Sequence, residues 1–279
     1  MFEMFQLEFM RLGFFAAIIT GLLLAYLGVH VVGRGIVFVD LALGQISSLG
    51  VAFADYIGMG KTSVPIIFAL VGAFLMSFIS IKDRRLKQEA VIGIIYAVAS
   101  AITVLIISKT PHGDSNIQEV LFGNILAADW MQISTVGIVF GIIALAHVIC
   151  WKQFFNLTEQ FENGEFAKVG VFNIWNFLFY LSIGLAIVFA VRIGGVIPVF
   201  AYIIIPPVSA IMLARKNVTL VIVAVIVSVL GGFFGLTFSY HLDFPAGSSI
   251  VAMLGMIFCI VSIIRFIKGS PFKSGKEKM

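Results

Sequence analysis

Nine apolar stretches follow one another along the chain, each close to the ~20 residues of helix that cross a bilayer, with short polar breaks between them. They fall at about 12–31, 36–55, 64–81, 90–108, 131–150, 172–190, 196–213, 218–239 and 248–267. The pattern predicts an all-α, polytopic integral membrane protein of about nine transmembrane helices, with residues 1–279 forming one transmembrane domain.

Four interruptions of the pattern carry information. The second stretch holds Asp40 and Gln45, either side of the small residue Gly44, between the flanking charges Arg34 and Asp55. From Arg34 to Asp55 is about 32 Å of helix, so Asp40 lies roughly 9 Å in from the Arg34 end and Gln45 near the middle. A carboxylate facing lipid costs at least ~2.5–3.5 kcal/mol, so it faces the bundle interior, a partner or a water-filled path. Two readings stay open: a structural partner for a polar group on another helix, or a place on a translocation path. The seventh stretch carries Pro206-Pro207, which remove two backbone donors in mid-span. It reads as a broken helix, which a membrane tolerates where it is buried in protein or lines a cavity, or as a kink that only improves packing. The connection 109–130 contains the apolar LFGNIL and a Ser115 cap for a short helix, suiting a re-entrant or interfacial segment. The connection 151–171 suits one or two short amphipathic helices broken near Asn163-Gly164, with Trp151, Phe154 and Phe155 where an aromatic belt is expected.

Charge then orients the chain. Connections on one side hold fourteen of the eighteen Lys and Arg, the other side four. The rich side is therefore cytoplasmic, the N-terminus outside and the C-terminus inside. The pI near 9.1 follows this sidedness and does not point to nucleic acid. The basic tail from about 268 to 279 lies beside anionic lipid. Composition agrees, at 61% hydrophobic and 11% charged residues against about 25% charged in soluble domains. No cleavable signal peptide is evident after MFEMFQLEFMR, and Cys150 and Cys259 make no disulfide framework.

Enzyme chemistry is disfavoured. GKTS at 60–63 lacks the first glycine of a nucleotide-binding loop, because position 55 is Asp55, and no hydrolase or zinc-protease motif occurs. His241 and Asp243, two apart in an outside loop, could hold a divalent metal or be ordinary loop polarity. His30, His147 and Cys150 read as packed and hydrogen-bonded groups rather than ligands.

Six stretches, in order over about residues 20–260, resemble the membrane permease subunits of ABC importers for zinc, manganese and iron. GRGIVFVDLALGQISSLGVAFA is similar to that family's second-helix motif, and EAVIGIIYAVASAI to its fourth span. LFGNIL matches an LFG-x-IL signature, and GEFAKVG a cytoplasmic segment of EFARALG type. RIGGVIPVFAYIIIPPVSAIMLA and SYHLDFPAGSSI resemble its IIP and Y-x-L-D-x-P-x-G segments. The resemblance implies a homodimer in a bacterial or archaeal plasma membrane, standing on two cytoplasmic ATP-binding subunits and served by an extracytoplasmic metal-binding protein. It implies no catalysis and no resident cofactor in this chain, with the divalent metal as transported solute. Glu162, Glu165, Phe166 and Gly170 would then belong to a coupling helix docked on the ATPase. The path candidates are Asp40, Gly44, Gln45, Pro206 and Pro207, with Asp40 and Gln45 as metal contacts.

One departure stands out. The family often carries an Asp and a His at i, i+4 on the second helix, where this chain has Leu41 and Gln45, with Asp40 one residue early. A glutamine carbonyl is a harder ligand than imidazole, so zinc should be favoured less, unless a local π-bulge re-aims Asp40. A permease for a metal chelate remains the main alternative. A stand-alone channel or secondary transporter is less favoured, since proton-coupled carriers usually hold several intramembrane acids.

Overall fold

A computed structural model describes residues 3–60, 62–79, 88–109, 125–164 and 173–267. Its elements among these residues are helical: α1 (Glu8–Arg34), α2 (Val39–Ile57), α3 (Ser63–Ser77), α4 (Gln88–Ile107), α5 (Trp130–Ile149), α6 (Trp151–Glu162), α7 (Ile174–Gly194), α8 (Val196–Leu213), α9 (Asn217–Leu242) and α10 (Ala246–Ile267), with two short 3-10 turns. Seven of these, α1, α4, α5 and α7 to α10, are long and apolar enough to cross a membrane. The other two expected spans exist as helices but fall short of that measure. Val39–Ile57 is diluted by its polar residues, and Ser63–Ser77 has 15 residues, about 22 Å of helix.

The bundle forms around α1. This helix is apolar on all sides and packs against α8 and α9 on one flank and α5 and α6 on another. A second group forms where α2 packs on α3, α4 and α7, and α3 on α7. Helix α10 closes against α8 and α9. Outer faces of α4, α5 and α10 remain apolar and exposed, for example Ile94, Val98, Leu105, Ile138, Ile142, Met256 and Ile260. Lipid is the natural solvent for such faces.

The turn between α1 and α2 follows from one residue. Gly35 adopts φ 65°, the Gly35 N–H reaches Val32 O and the Ile36 N–H reaches Val31 O at 3.2 Å. This is a Schellman stop, in which a left-handed residue satisfies the last carbonyls of the helix. A Cβ at Gly35 would meet nothing within 4 Å, so the cost of a side chain is purely conformational. Gly35→Ala should lower stability by about 1–2 kcal/mol, read as a lower thermal unfolding midpoint in detergent. At the other end of the bundle, Asp129 caps α5 by accepting from Gln132 N at 2.7 Å in a capping box.

Three expectations need correction or refinement. The seventh span is not broken at its prolines: α8 runs continuously from Val196 to Leu213 through Pro206 and Pro207. The discontinuity lies one element earlier, at Gly195 (φ 79°, ψ 165°), which joins α7 to α8 in a single residue. The prolines are absorbed because their neighbour on α1 is Gly28. Pro207 offers no N–H to Ile203 O, and that carbonyl instead fills the place where a Cβ of Gly28 would stand, with Pro207 Cγ 2.7 Å from the same point. Second, Phe154 and Phe155 do not form a belt at the lipid interface. Both are buried, Phe154 stacked on His147 at 3.9 Å and Phe155 against His30 at 4.5 Å, because the apolar face of α6 has protein to lie on. Third, α2 is α-helical from Val39 to Ile57 with no π turn, so nothing re-aims Asp40. Of LFGNIL, only the last residues are described: the turn Ile125–Ala127 lies on α1, Leu126 against Gly13. The Ser115 cap and the tail 268–279 lie outside the described residues.

Candidate functional site

Asp40 occupies the second residue of α2, where the unpaired N–H groups of the first turn give a partial positive charge that favours a carboxylate. It is 2% exposed, and neither of its oxygens has a hydrogen-bond partner. The N–H groups of Asp40 itself and Leu41 lie nearby without meeting hydrogen-bond geometry. Gly44, one turn on, shares the Asp40 face and looks at Ile187 of α7 and Val196 of α8 at ordinary van der Waals distances. Ser48, a further turn on, is buried and spends its hydroxyl on Gly44 O at 2.9 Å. The face running from Asp40 through Gly44 to Ser48 is thus turned into the protomer, toward α7 and the start of α8.

The other sequence-selected residues do not all converge there. Gln45 is buried, but five residues along a regular helix it points about 140° away from Asp40. Pro206 and Pro207 are buried, Pro207 against Gly28 of α1, about 15 Å along α8 from Val196. His241 and Asp243 are exposed at the far end of α9, where Asp243 takes φ 55° as the helix C-cap. Glu162 is exposed at the end of α6, which stops at Asn163-Gly164 as its sequence suggests. Glu165, Phe166 and Gly170 lie outside the described residues. No group of three or more His, Cys, Asp or Glu that could hold a metal occurs among the described residues.

A second polar cluster was not anticipated. It gathers the ends of α1, α3, α5 and α6 and the starts of α4 and α7, which the charge rule places on one side. Arg34, read from sequence as a flanking loop charge, is 4% exposed. Its Nε donates to Thr158 Oγ1 and its Nη1 to Asn176 Oδ1, both at 3.2 Å, and its guanidinium lies 3.7 Å from the Phe179 ring centroid. Asn176 Nδ2 donates to Ser77 O at 3.3 Å, bringing in α3. Gln88 of α4 donates to the Tyr180 hydroxyl at 2.9 Å. His30 Nδ1 is 2.8 Å from Thr158 Oγ1, and the Tyr26 hydroxyl sits 3.2 Å from both His30 Nε2 and His147 Nδ1.

The donors can be assigned. Thr158 Oγ1 donates to Phe154 O at 3.0 Å, so its oxygen accepts from Arg34 Nε and from His30 Nδ1–H. His30 Nε2 then accepts from the Tyr26 hydroxyl, and the Tyr26 oxygen accepts from His147 Nδ1–H. The periodic signal was present in the sequence, since Tyr26, His30 and Arg34 are spaced four apart on one face of α1. What could not be read was that α5, α6 and α7 bring matching partners.

The family model described as ABC 3 transport family matches residues 6–265. The chain is 26% identical over 277 residues to the chelated iron transport system membrane protein YfeD of Yersinia pestis, covering 98% of this chain and 91% of that protein. It is 26% identical over 279 residues to the manganese transport system membrane protein MntC of Listeria monocytogenes, covering 98% and 96%. A chain in the structure of PsaBC from Streptococcus pneumoniae in complex with Fab superposes with a TM-score of 0.76 at 24% identity, covering 91% of each chain, which shows a shared fold.

Proposed function

This chain belongs to the ABC 3 transport family, and from that premise we propose that it is the permease subunit of an ABC importer carrying a divalent metal cation inward. What carries the reading is that membership extends through nearly the whole chain, residues 6–265, leaving little room for a different core function. Hydrolysis of ATP belongs to a separate cytoplasmic subunit, and a binding protein outside delivers the metal. The metal is cargo, and this chain holds no resident cofactor. Two copies assemble in the plasma membrane with N-termini outside and C-termini in the cytoplasm.

In this arrangement α6 lies at the cytoplasmic face. Its polar side, with Lys152, Gln153, Asn156, Glu159 and Glu162 exposed, suits docking on the ATPase, while Phe154, Phe155, Leu157 and Thr158 are buried against the bundle. His241 and Asp243, exposed at the opposite end, face the delivering protein. The Asp40–Gly44 face, with an unpartnered carboxyl group, is the candidate path lining. Gln45 stands where the family often has a histidine, but it points about 140° away from Asp40, so it does not join Asp40 as a second ligand.

A second reading, transport of a metal chelate, is favoured by the absence of clustered ligands among the described residues. One experiment separates the two. The chain is reconstituted in vesicles with its ATPase and binding protein, and turnover is measured with manganese, iron(II), zinc and chelated iron. Stimulation by free manganese or iron(II) supports the cation reading, stimulation by chelated iron alone supports the second, and stimulation by none sinks both.

A further inference from the structure

The geometry points to Thr158 and Arg34 as the joint through which movement of α6 reaches the membrane helices. We propose that they fasten the ATPase-facing helix to α1 and α7, and that without them α6 slips and hydrolysis runs without transport. This rests on the permease reading above and names positioning residues for it.

The argument starts from an unusual burial. Arg34 carries a charge into the interior, and among the described residues no carboxylate pairs with it. A buried charge costs several kcal/mol unless it is well compensated. Here the compensation comes from neutral groups on two other helices: the Thr158 hydroxyl of α6, the Asn176 amide of α7, and the Phe179 ring under the guanidinium, with Phe161 of α6 at 5.5 Å. Arg34 Nη2 and His147 Nε2 stay buried without partners. An apolar plug would be easier to pack, so simple stability gives no reason to keep a charge here.

What the arrangement supplies is direction. The guanidinium is planar, and its two bonded nitrogens fix α6 and α7 at a set angle to the end of α1. Thr158 also receives His30 Nδ1 from one turn back on α1, so one hydroxyl on α6 is held by two side chains of α1. Sliding α6 along its axis by even one residue would carry that hydroxyl about 1.5 Å, which breaks both bonds. Apolar contacts such as Phe155 on His30 would tolerate the same shift. Thr158 is the one hydroxyl on α6, and it sits on the buried face. Its backbone bond to Phe154 O leaves its oxygen free for these two donors.

The test uses the full transporter: this chain with its ATPase and binding protein in vesicles. Uptake of radiolabelled manganese, or of chelated iron if that is the cargo, and ATP hydrolysis are measured on the same preparation. Thr158→Val keeps shape and loses the hydroxyl. It should retain assembly and hydrolysis, while uptake per ATP falls about tenfold, the scale of losing one or two buried hydrogen bonds. Thr158→Ser keeps the hydroxyl and should restore the ratio. Arg34→Lys keeps the charge, loses the planar fork, and should also lower the ratio; it carries the test if Thr158→Val does not assemble. An unchanged ratio in Thr158→Val and Arg34→Lys, against an active wild type, overturns the joint. Thr158→Ser failing as badly as Thr158→Val overturns it too. A wild type that hydrolyses ATP but takes up neither cargo overturns the permease reading, and the joint with it.

Discussion

Asp40→Asn should abolish metal-stimulated turnover while leaving the unfolding temperature of the protein essentially unchanged, and Asp40→Leu should abolish turnover while raising it. The reason is that Asp40 makes no hydrogen bond that a substitution could break. A buried polar group without a partner costs ~1–3 kcal/mol, and replacing it by an apolar group of similar size recovers much of that. Against this stands the favourable position at the start of α2, worth about 0.3–1 kcal/mol. The balance favours leucine for stability, so retention of aspartate would be explained by function rather than fold. Thermal unfolding in detergent and vesicle uptake, measured on the same variants, decide the matter. A clear loss of stability in Asp40→Asn would mean a structural partner, and the path role would fall. Because Gln45 points about 140° away from Asp40, Gln45→His should leave cargo preference unchanged if the path runs along the Asp40–Gly44 face, and a shift toward zinc would move the path to the Gln45 face.

Gly28→Ala should be the most damaging glycine-to-alanine change among the described residues. The added carbon would overlap the Ile203 carbonyl oxygen and come within 2.7 Å of Pro207 Cγ and 2.8 Å of the Ile203 carbonyl carbon. Both obstacles are stiff: one is helix backbone, the other a ring. Overpacking costs about 1–3 kcal/mol and occasionally more, and here neither side can yield. Better helix propensity returns at most ~1 kcal/mol. A net loss of about 2 kcal/mol or more is expected, with a lower yield of folded protein on size-exclusion chromatography. Gly44→Ala is the control. Its new carbon would meet Ile187 and Val196 at 3.8 and 3.9 Å, ordinary contacts, so stability should hold and any lost transport would report on the path. Equal damage from both substitutions would refute the account of how α8 carries its prolines.

The same pair shows why sequence and structure part company at Pro206-Pro207. A proline inside a helix removes a donor, and from the chain alone a break is the direct inference. Whether the freed carbonyl must be avoided or can be placed depends on what lies opposite, and Gly28 is 175 residues away in the chain from Ile203. The actual interruption, at Gly195, falls at the Gly194-Gly195 pair just ahead of the seventh stretch.

What the sequence determined by itself was set by local and one-dimensional physics. Hydropathy located the helices, because backbone in lipid must satisfy itself within each segment. The amphipathic α6 and its stop at Asn163-Gly164 follow from neighbouring residues alone. The helix expected to run unbroken from Arg34 to Asp55 does not: α1 stops at Arg34 and α2 starts at Val39, so Asp40 stands at a helix start rather than about 9 Å inside one. The ordered motifs pointed to the family that the whole-chain match supports. Only the tertiary structure decided which side chains meet. It turned Arg34 from a surface charge into the centre of a buried network, set Asp40 and Gly44 toward α7 and α8, and put Gln45 on another face. Those outcomes depend on the relative rotation and height of packed helices. Both are fixed by contacts between residues far apart in the chain, which hydropathy and spacing do not encode.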